Sequence, residues 1–165
     1  MIKHPIAKTL NGTDVYVDLI RSPASATISQ QPYIVILIKE MLRHVSPKGQ
    51  HSVIEFDFGR IIGSCDIVST GAKDHIMYAK PINRDTFYRF VRRRQPEQTA
   101  CITIVVRKDD EGDFELLDTW FGKDMPGMPG ASNENDESKE FWQHHAIVLE
   151  GHPVQSKTLT LTCPF

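Results

Sequence analysis

Long apolar runs are missing from this chain of 165 residues. The longest, Tyr33 to Ile38, spans six residues, against the roughly 18 that a membrane-crossing helix requires. No apolar signal core follows Lys3 and His4, so neither a membrane protein nor an exported precursor is expected, and the expected setting is cytoplasmic. Cysteine is scarce as well. Cys65, Cys101 and Cys163 are odd in number, far apart and without a CxxC pair, which indicates neither a disulfide framework nor a zinc ribbon. Cys65 and Cys101 lie in apolar stretches and read as small core residues. The phosphate and nucleophile motifs are lacking too. Without GxGxxG, a Walker loop or GxSxG, the P-loop NTPases, dinucleotide-binding enzymes and α/β-hydrolases are set aside. No HExxH spacing occurs. His144 and His145 are adjacent, so on a helix they point about 100° apart, and His152 lies across Gly151. Neither a metal site nor any other cofactor is expected.

What is present is the composition of an ordinary globular domain. Hydrophobic residues make up 40% and charged residues 24%, enough apolar surface for one core in one domain. The net charge of −2 is unevenly spread. Between Tyr78 and Lys108, eight basic residues (among them Lys80, Arg84, Arg89, Arg92, Arg93 and Arg94) stand against Asp85 and Glu97, a local +6. From Asp109 to Glu140, eleven acidic residues stand against two lysines, a local −9. The basic block is where an anionic partner would bind, and the acidic one is suited to a basic protein.

Periodicity predicts a strand over Val15 to Ile20 and a loop over Arg21 to Gln31. A helix is predicted from Pro32 to about His44, with Ile34, Leu37, Ile38, Met41, Leu42 and Val45 on one stripe. Strands are predicted at Val53 to Phe58, Ser64 to Thr70 and His75 to Lys80. A second helix is predicted over Arg84 to Arg94, burying Phe87, Phe90 and Val91. Cys101 to Arg107 and Phe114 to Phe121 form a hairpin about Gly112. Residues 122–133 read as a Pro/Gly/Met loop, Ser138 to His145 as a short helix and Lys157 to Thr162 as an edge strand. The fold class expected is α+β: one antiparallel sheet packed against two main helices.

Three groups of residues could carry chemistry. His75, Lys80 and Arg84 supply a side chain that titrates near neutrality and two phosphate-binding cations, which is what metal-free RNA cleavage asks for. His75 and Lys80 are five apart, so a bend is needed to bring them to one face. Thr103 and Thr119, on paired strands, could donate to a phosphate oxygen or simply pack as β-branched residues. Phe141 and Trp142 anchor a helix whose end carries His144 and His145.

The series Asp74-His75-Ile76, Ala79-Lys80, Asn83-Arg84 and Arg89-Phe90-Val91 resembles a stretch found in a group of bacterial proteins. It continues through Thr103-Ile104-Val105-Val106, Trp120-Phe121-Gly122, the loop from Met125 to Gly130, Ser138, Phe141-Trp142 and His145-Ala146. This likeness covers roughly residues 55 to 150. More loosely, the order helix, strands, His75, Lys80, Arg84, Thr103 is similar to the barnase–EndoU–colicin–RelE class of small ribonucleases. That resemblance implies a bacterial toxin-like enzyme that cleaves RNA by metal-independent transesterification. His75 would be general base or acid, Lys80 and Arg84 phosphate contacts, and Thr103 a hydroxyl donor. His145 would take the second proton-transfer role, with Arg89, Arg93 and Thr119 holding substrate and a cognate inhibitor as partner. The slightly acidic net charge departs from that class. The alternative is a non-catalytic module that binds nucleic acid through the basic 80–94 face. A further form of it is an immunity- or antitoxin-like binder acting through the acidic 109–140 surface.

Overall fold

Two five-residue turns, Thr9-Leu10-Asn11-Gly12-Thr13 and Asp109-Asp110-Glu111-Gly112-Asp113, reverse the chain by the same chemistry in this computed structural model, which describes residues 1–128 and 135–165. In each, the first residue's amide donates to the last residue's carbonyl at 2.8 Å, and the glycine amide donates back to the first carbonyl. The Thr9 hydroxyl and the Asp109 carboxylate accept the amides of Thr13 and Asp113 at 3.1 and 3.0 Å. Gly12 and Gly112 sit at φ +84° and +88°, which only a residue without Cβ adopts freely.

In chain order the elements are β1 (Lys3–Lys8), β2 (Asp14–Asp18), α1 (Pro23–Gln30), α2 (Ile34–Met41), β3 (His51–Asp57), β4 (Gly63–Cys65) and β5 (Ile67–Ser69). They continue with β6 (His75–Ala79), β7 (Tyr88–Arg92), β8 (Glu97–Thr99), β9 (Cys101–Lys108), β10 (Phe114–Phe121), α3 (Asp136–His144) and β11 (His145–Val148). The class is α+β, but the single antiparallel sheet with two main helices is corrected to three sheets and three helices among the described residues. The chain divides into two compact units, Met1–Gly63 with Thr99–Asp124, and Ser64–Gln98 with Met125–Phe165. No helix among the described residues is long and apolar enough to cross a membrane.

The first unit holds the sheet β1-β2-β10-β9-β3, antiparallel throughout except for the parallel pair β2–β10. Alternation sends Ile102, Ile104 and Val106 of β9 to one face, joined by Ile54 and Phe56 of β3 and Leu116 of β10. The α2 stripe Ile34, Leu37, Ile38, Met41 and Leu42 packs into the same core, as does Ala24 of α1. Each fully buried aliphatic side chain here contributes about 1.5–3 kcal/mol. The 21–31 loop reading is corrected: Ser22 precedes Pro23 at the first helical turn, where proline's fixed φ suits a helix start.

In the second unit the sheet runs β5-β11-β7-β6, with β7 and β11 parallel. One face carries Ala79, Phe90 and Ile147, which pack with Trp142 of α3; the other carries Val68, Val91, Ala146 and Val148. The helix predicted over Arg84 to Arg94 is corrected to strand β7. Phe87, Phe90 and Val91 also fit a helical period, but Tyr88–Arg92 hydrogen-bonds to a strand on either side. Positive φ at Asn83 (65°) and Arg93 (59°) breaks helical geometry at both ends. The 157–162 edge strand is corrected to a 3-10 turn, Ser156–Thr158, and one bridge from Thr160 to Tyr78. β4 and β8 pair as a two-stranded ribbon. Of the Pro/Gly/Met loop, residues 129–133 lie outside the described residues.

Gly63 shows how closely the first unit is packed. A Cβ there would lie 2.7 Å from Cε1 of Phe121, whose ring is buried and packs against Tyr33 at 5.4 Å. At Gly71 a Cβ meets open space. Gly63→Ala is therefore expected to lower stability by about 1–3 kcal/mol and Gly71→Ala to leave it nearly unchanged, as read from urea unfolding. Equal effects would contradict this packing.

Candidate ligand-binding cavity

Adjacent residues of a strand face opposite sides, so the pairing of β6 with β7 decides what meets what. Tyr78 lies directly across from Arg89, and His75 from Arg92. His75 and Lys80 are at opposite ends of β6, roughly 16 Å of extended chain apart at about 3.3 Å per residue. The bend that would join them is absent.

Arg89 is half-buried and holds two elements together. One of its terminal amino groups donates to the Trp142 carbonyl in the last turn of α3, and the other reaches the Thr70 hydroxyl at 3.5 Å. A cation is well placed there, because the last carbonyls of a helix have no partner within it and carry partial negative charge. The Arg89 Nε–H is buried without an acceptor among the described residues. At the other end of α3, the Asn135 side chain and Ser138 cap the first turn reciprocally. Lys139, Trp142 and Gln143, spaced i, i+3 and i+4, then share one side of the helix.

These groups enclose a cavity of about 440 Å³ lined by Tyr78, Arg89, Lys139, Trp142, Gln143, Cys163 and Phe165. Tyr78 and Phe165 meet edge to face at 6.1 Å. Burial first, and then the Cys163 thiol beside it, push the Tyr78 phenol up, so it is a neutral hydroxyl at physiological pH. Trp142 is 3% exposed and its indole N–H donates to the Gly127 carbonyl at 3.1 Å. Lys139 is exposed and its ammonium has no hydrogen bond or ion pair among the described residues. Two cations, two accessible rings and an amide thus converge on one concave site.

No protein-family model, curated protein or solved structure matches the chain. The cavity is therefore interpreted from its chemistry alone.

The sequence-predicted residues fall into three groups. Arg89 alone lines the cavity. Lys80 follows β6 two residues beyond Tyr78, with its ammonium 5.1 Å from the Phe87 ring centre. Arg84 is exposed in the next turn, where its carbonyl accepts from the Gln155 amide at 3.0 Å. His145 stacks on Phe141 at 3.9 Å, and its Nδ1 lies 2.9 Å from the Phe141 carbonyl. A carbonyl only accepts, so Nδ1 carries the proton and Nε2 is the basic nitrogen. Thr103 and Thr119 belong to the first unit and are 0% and 1% exposed. Their hydroxyls donate to the carbonyls of Gly122 and Thr103, each at 3.0 Å, so neither donor is free for a phosphate.

The arginine run is also partly neutralised. Arg94 bridges Asp74 and Glu97, and the Gly71 amide, then Arg94, hold Asp74 below the usual carboxylate range. Arg93 gives its amide to Glu150 at 2.7 Å. That bond, with the charges of Arg92 and Arg93, lowers Glu150. The acidic block is divided, with 109–124 in the first unit and 135–140 in the second. Among the described residues, the carboxylates of Asp109, Glu111 and Asp113 come within 4.8 Å of one another. The Lys3 ammonium contacts the first two at 3.3 and 3.4 Å, which supplies them with a cation already.

The sequence reading missed Tyr78, Lys139, Gln143, Cys163 and Phe165 as site residues. Only the pairing of β6 with β7 brings Tyr78 to Arg89, and the helix expected over 84–94 concealed it. The i, i+3, i+4 spacing of Lys139, Trp142 and Gln143 was legible.

His152 supplies a pH test of this unit. Its ring packs on Phe90 at 5.3 Å, and burial pushes its imidazole down, with Asp66 opposing. The unfolded chain takes up this proton near pH 6.5 and the folded one only at lower pH. The contribution to stability is complete above about 6.5 and is lost as pH falls toward the folded value. The wild-type urea midpoint is expected to fall between about pH 7.5 and about pH 5.5 by more than that of His152→Phe. Equal falls would contradict the neutral buried imidazole.

Proposed function

We propose that the second unit is an RNA-binding module whose cavity, walled by β6, β7 and α3, is the contact site. The observation that carries this is the direct cross-strand placement of Tyr78 and Arg89 with Lys139 in the same cavity. Single-stranded nucleic acid is bound by cations that follow the backbone and by rings on which bases stack. Arg89 and Lys139 supply the first, and Tyr78 and Phe165 the second. Lys80 and Arg84 extend the cationic track past the end of β6. With Arg94 paired to Asp74 and Glu97 and Glu150 close to Arg92 and Arg93, the attraction is local, in keeping with a chain whose net charge is −2.

A ribonuclease is the second reading, favoured by one observation: the Phe141 carbonyl presets the His145 tautomer and leaves Nε2 basic. His145 would then be the proton-transfer group, assisted by His75 only after rearrangement of β6. Cleavage of RNA in EDTA that disappears in His145→Ala would support it.

The binding reading is tested by fluorescence anisotropy with a labelled single-stranded oligoribonucleotide of about ten residues. Saturable binding is expected to weaken as salt rises. The logarithmic salt slope should drop by roughly 0.7 for each of Lys139→Gln and Arg84→Gln, as expected for one lost phosphate contact on a single strand. Absence of binding at low salt, or a slope unmoved by either change, would contradict it.

A further inference from the structure

We infer that the cavity is a pocket for one nucleotide: a single base against Tyr78 and Phe165, with its phosphate held by Arg89 and Lys139. This rests on the RNA-binding reading above and adds what the site takes from the strand. Size is the first reason. A volume of about 440 Å³ lies at the lower end of small-molecule sites, roughly 300–1,000 Å³. Surfaces that track a strand accommodate about four nucleotides or more, far too many for this space.

Arrangement is the second reason. Phe165 is 54% exposed and Tyr78 half-buried, and the two rings meet at a steep 76°, so a flat base finds a face on one and an edge on the other. Trp142 is buried and its indole N–H already bonded; it forms wall rather than platform. The cations come from two further elements of the lining, Arg89 from β7 and Lys139 from α3. Each terminal amino group of Arg89 carries a second N–H beyond its bond to Trp142 or Thr70, and a phosphate offers oxygens at any of its corners. Gln143 is exposed on the α3 side. Its amide both donates and accepts, the equipment that reads a base edge.

The test follows the two indole N–H resonances of the ¹⁵N-labelled full chain, assigned with Trp120→Phe. Trp142 reports the cavity, and Trp120, in the first unit, is the internal control. Adenosine monophosphate is expected to shift the Trp142 signal saturably and leave Trp120 in place. Adenosine and inorganic phosphate should each bind at least about tenfold more weakly, since each supplies one half of the recognition. Lys139→Gln and Phe165→Ala, both at exposed positions, should weaken the nucleotide several-fold. A single-stranded oligoribonucleotide should shift the same Trp142 signal and compete with the mononucleotide.

If the oligoribonucleotide shifts Trp142 but the mononucleotide does not, the one-nucleotide pocket is wrong and RNA binding stands. If neither moves Trp142, both ideas fall. Phosphate binding as tightly as the nucleotide, or Phe165→Ala binding unchanged, would overturn the role of the rings and with it the inference.

Discussion

Arg89 joins a strand to the carbonyl end of a helix, and the second unit's site depends on that one contact. Its guanidinium reaches from β7 to the last turn of α3, at Trp142, so the sheet and helix that wall the cavity are tied where their surfaces meet. A neutral side chain would leave that carbonyl with neither donor nor favourable charge. Lys139 and Gln143, on one side of α3 with Trp142, line the same cavity as Tyr78. Fold and binding are therefore linked through one cation: the group that holds the wall is also part of the lining.

The two units use their polar groups differently. In the first, several polar side chains are satisfied within the unit. Thr103 and Thr119 bond backbone carbonyls, Arg107 pairs with Glu115 across the β9–β10 hairpin, and Lys3 answers Asp109 and Glu111. In the second, Lys139 stands without an ion pair among the described residues, and Arg89 keeps one buried donor without an acceptor. Function is placed in the second unit because there an unpaired cation, Lys139, shares a cavity with two rings and a second cation, Tyr78, Phe165 and Arg89.

Much of the first unit was legible in the sequence. The α2 stripe and the β9–β10 hairpin follow from apolar spacing and from Gly112, and β3 from its alternation. β1 was overlooked although Asn11-Gly12 between two short runs is a strong hairpin signal, and α1 although Ser22-Pro23 marks a helix start. The failure at β7 has a different cause. Tyr88-Arg89-Phe90-Val91-Arg92 satisfies a helical and a strand period at once, and only pairing with β6 and β11 decides between them. The site inherited that ambiguity: Arg89 was named as part of a basic helix face, while its partner Tyr78 went unnamed. His75, Lys80 and Thr103 were grouped by residue type, which says nothing about which end of a strand, or which unit, each occupies.

Photo-crosslinking tests the central claim most directly. RNA carrying 4-thiouridine would be bound to the full chain and irradiated, and the crosslinked peptides identified by mass spectrometry. Crosslinks on the peptides carrying Tyr78 and Arg89, on the Lys139–Gln143 segment of α3, or at Phe165 are the predicted result. Crosslinks confined to Met1–Gly63 and Thr99–Asp124 would move the binding surface to the first unit and contradict the account.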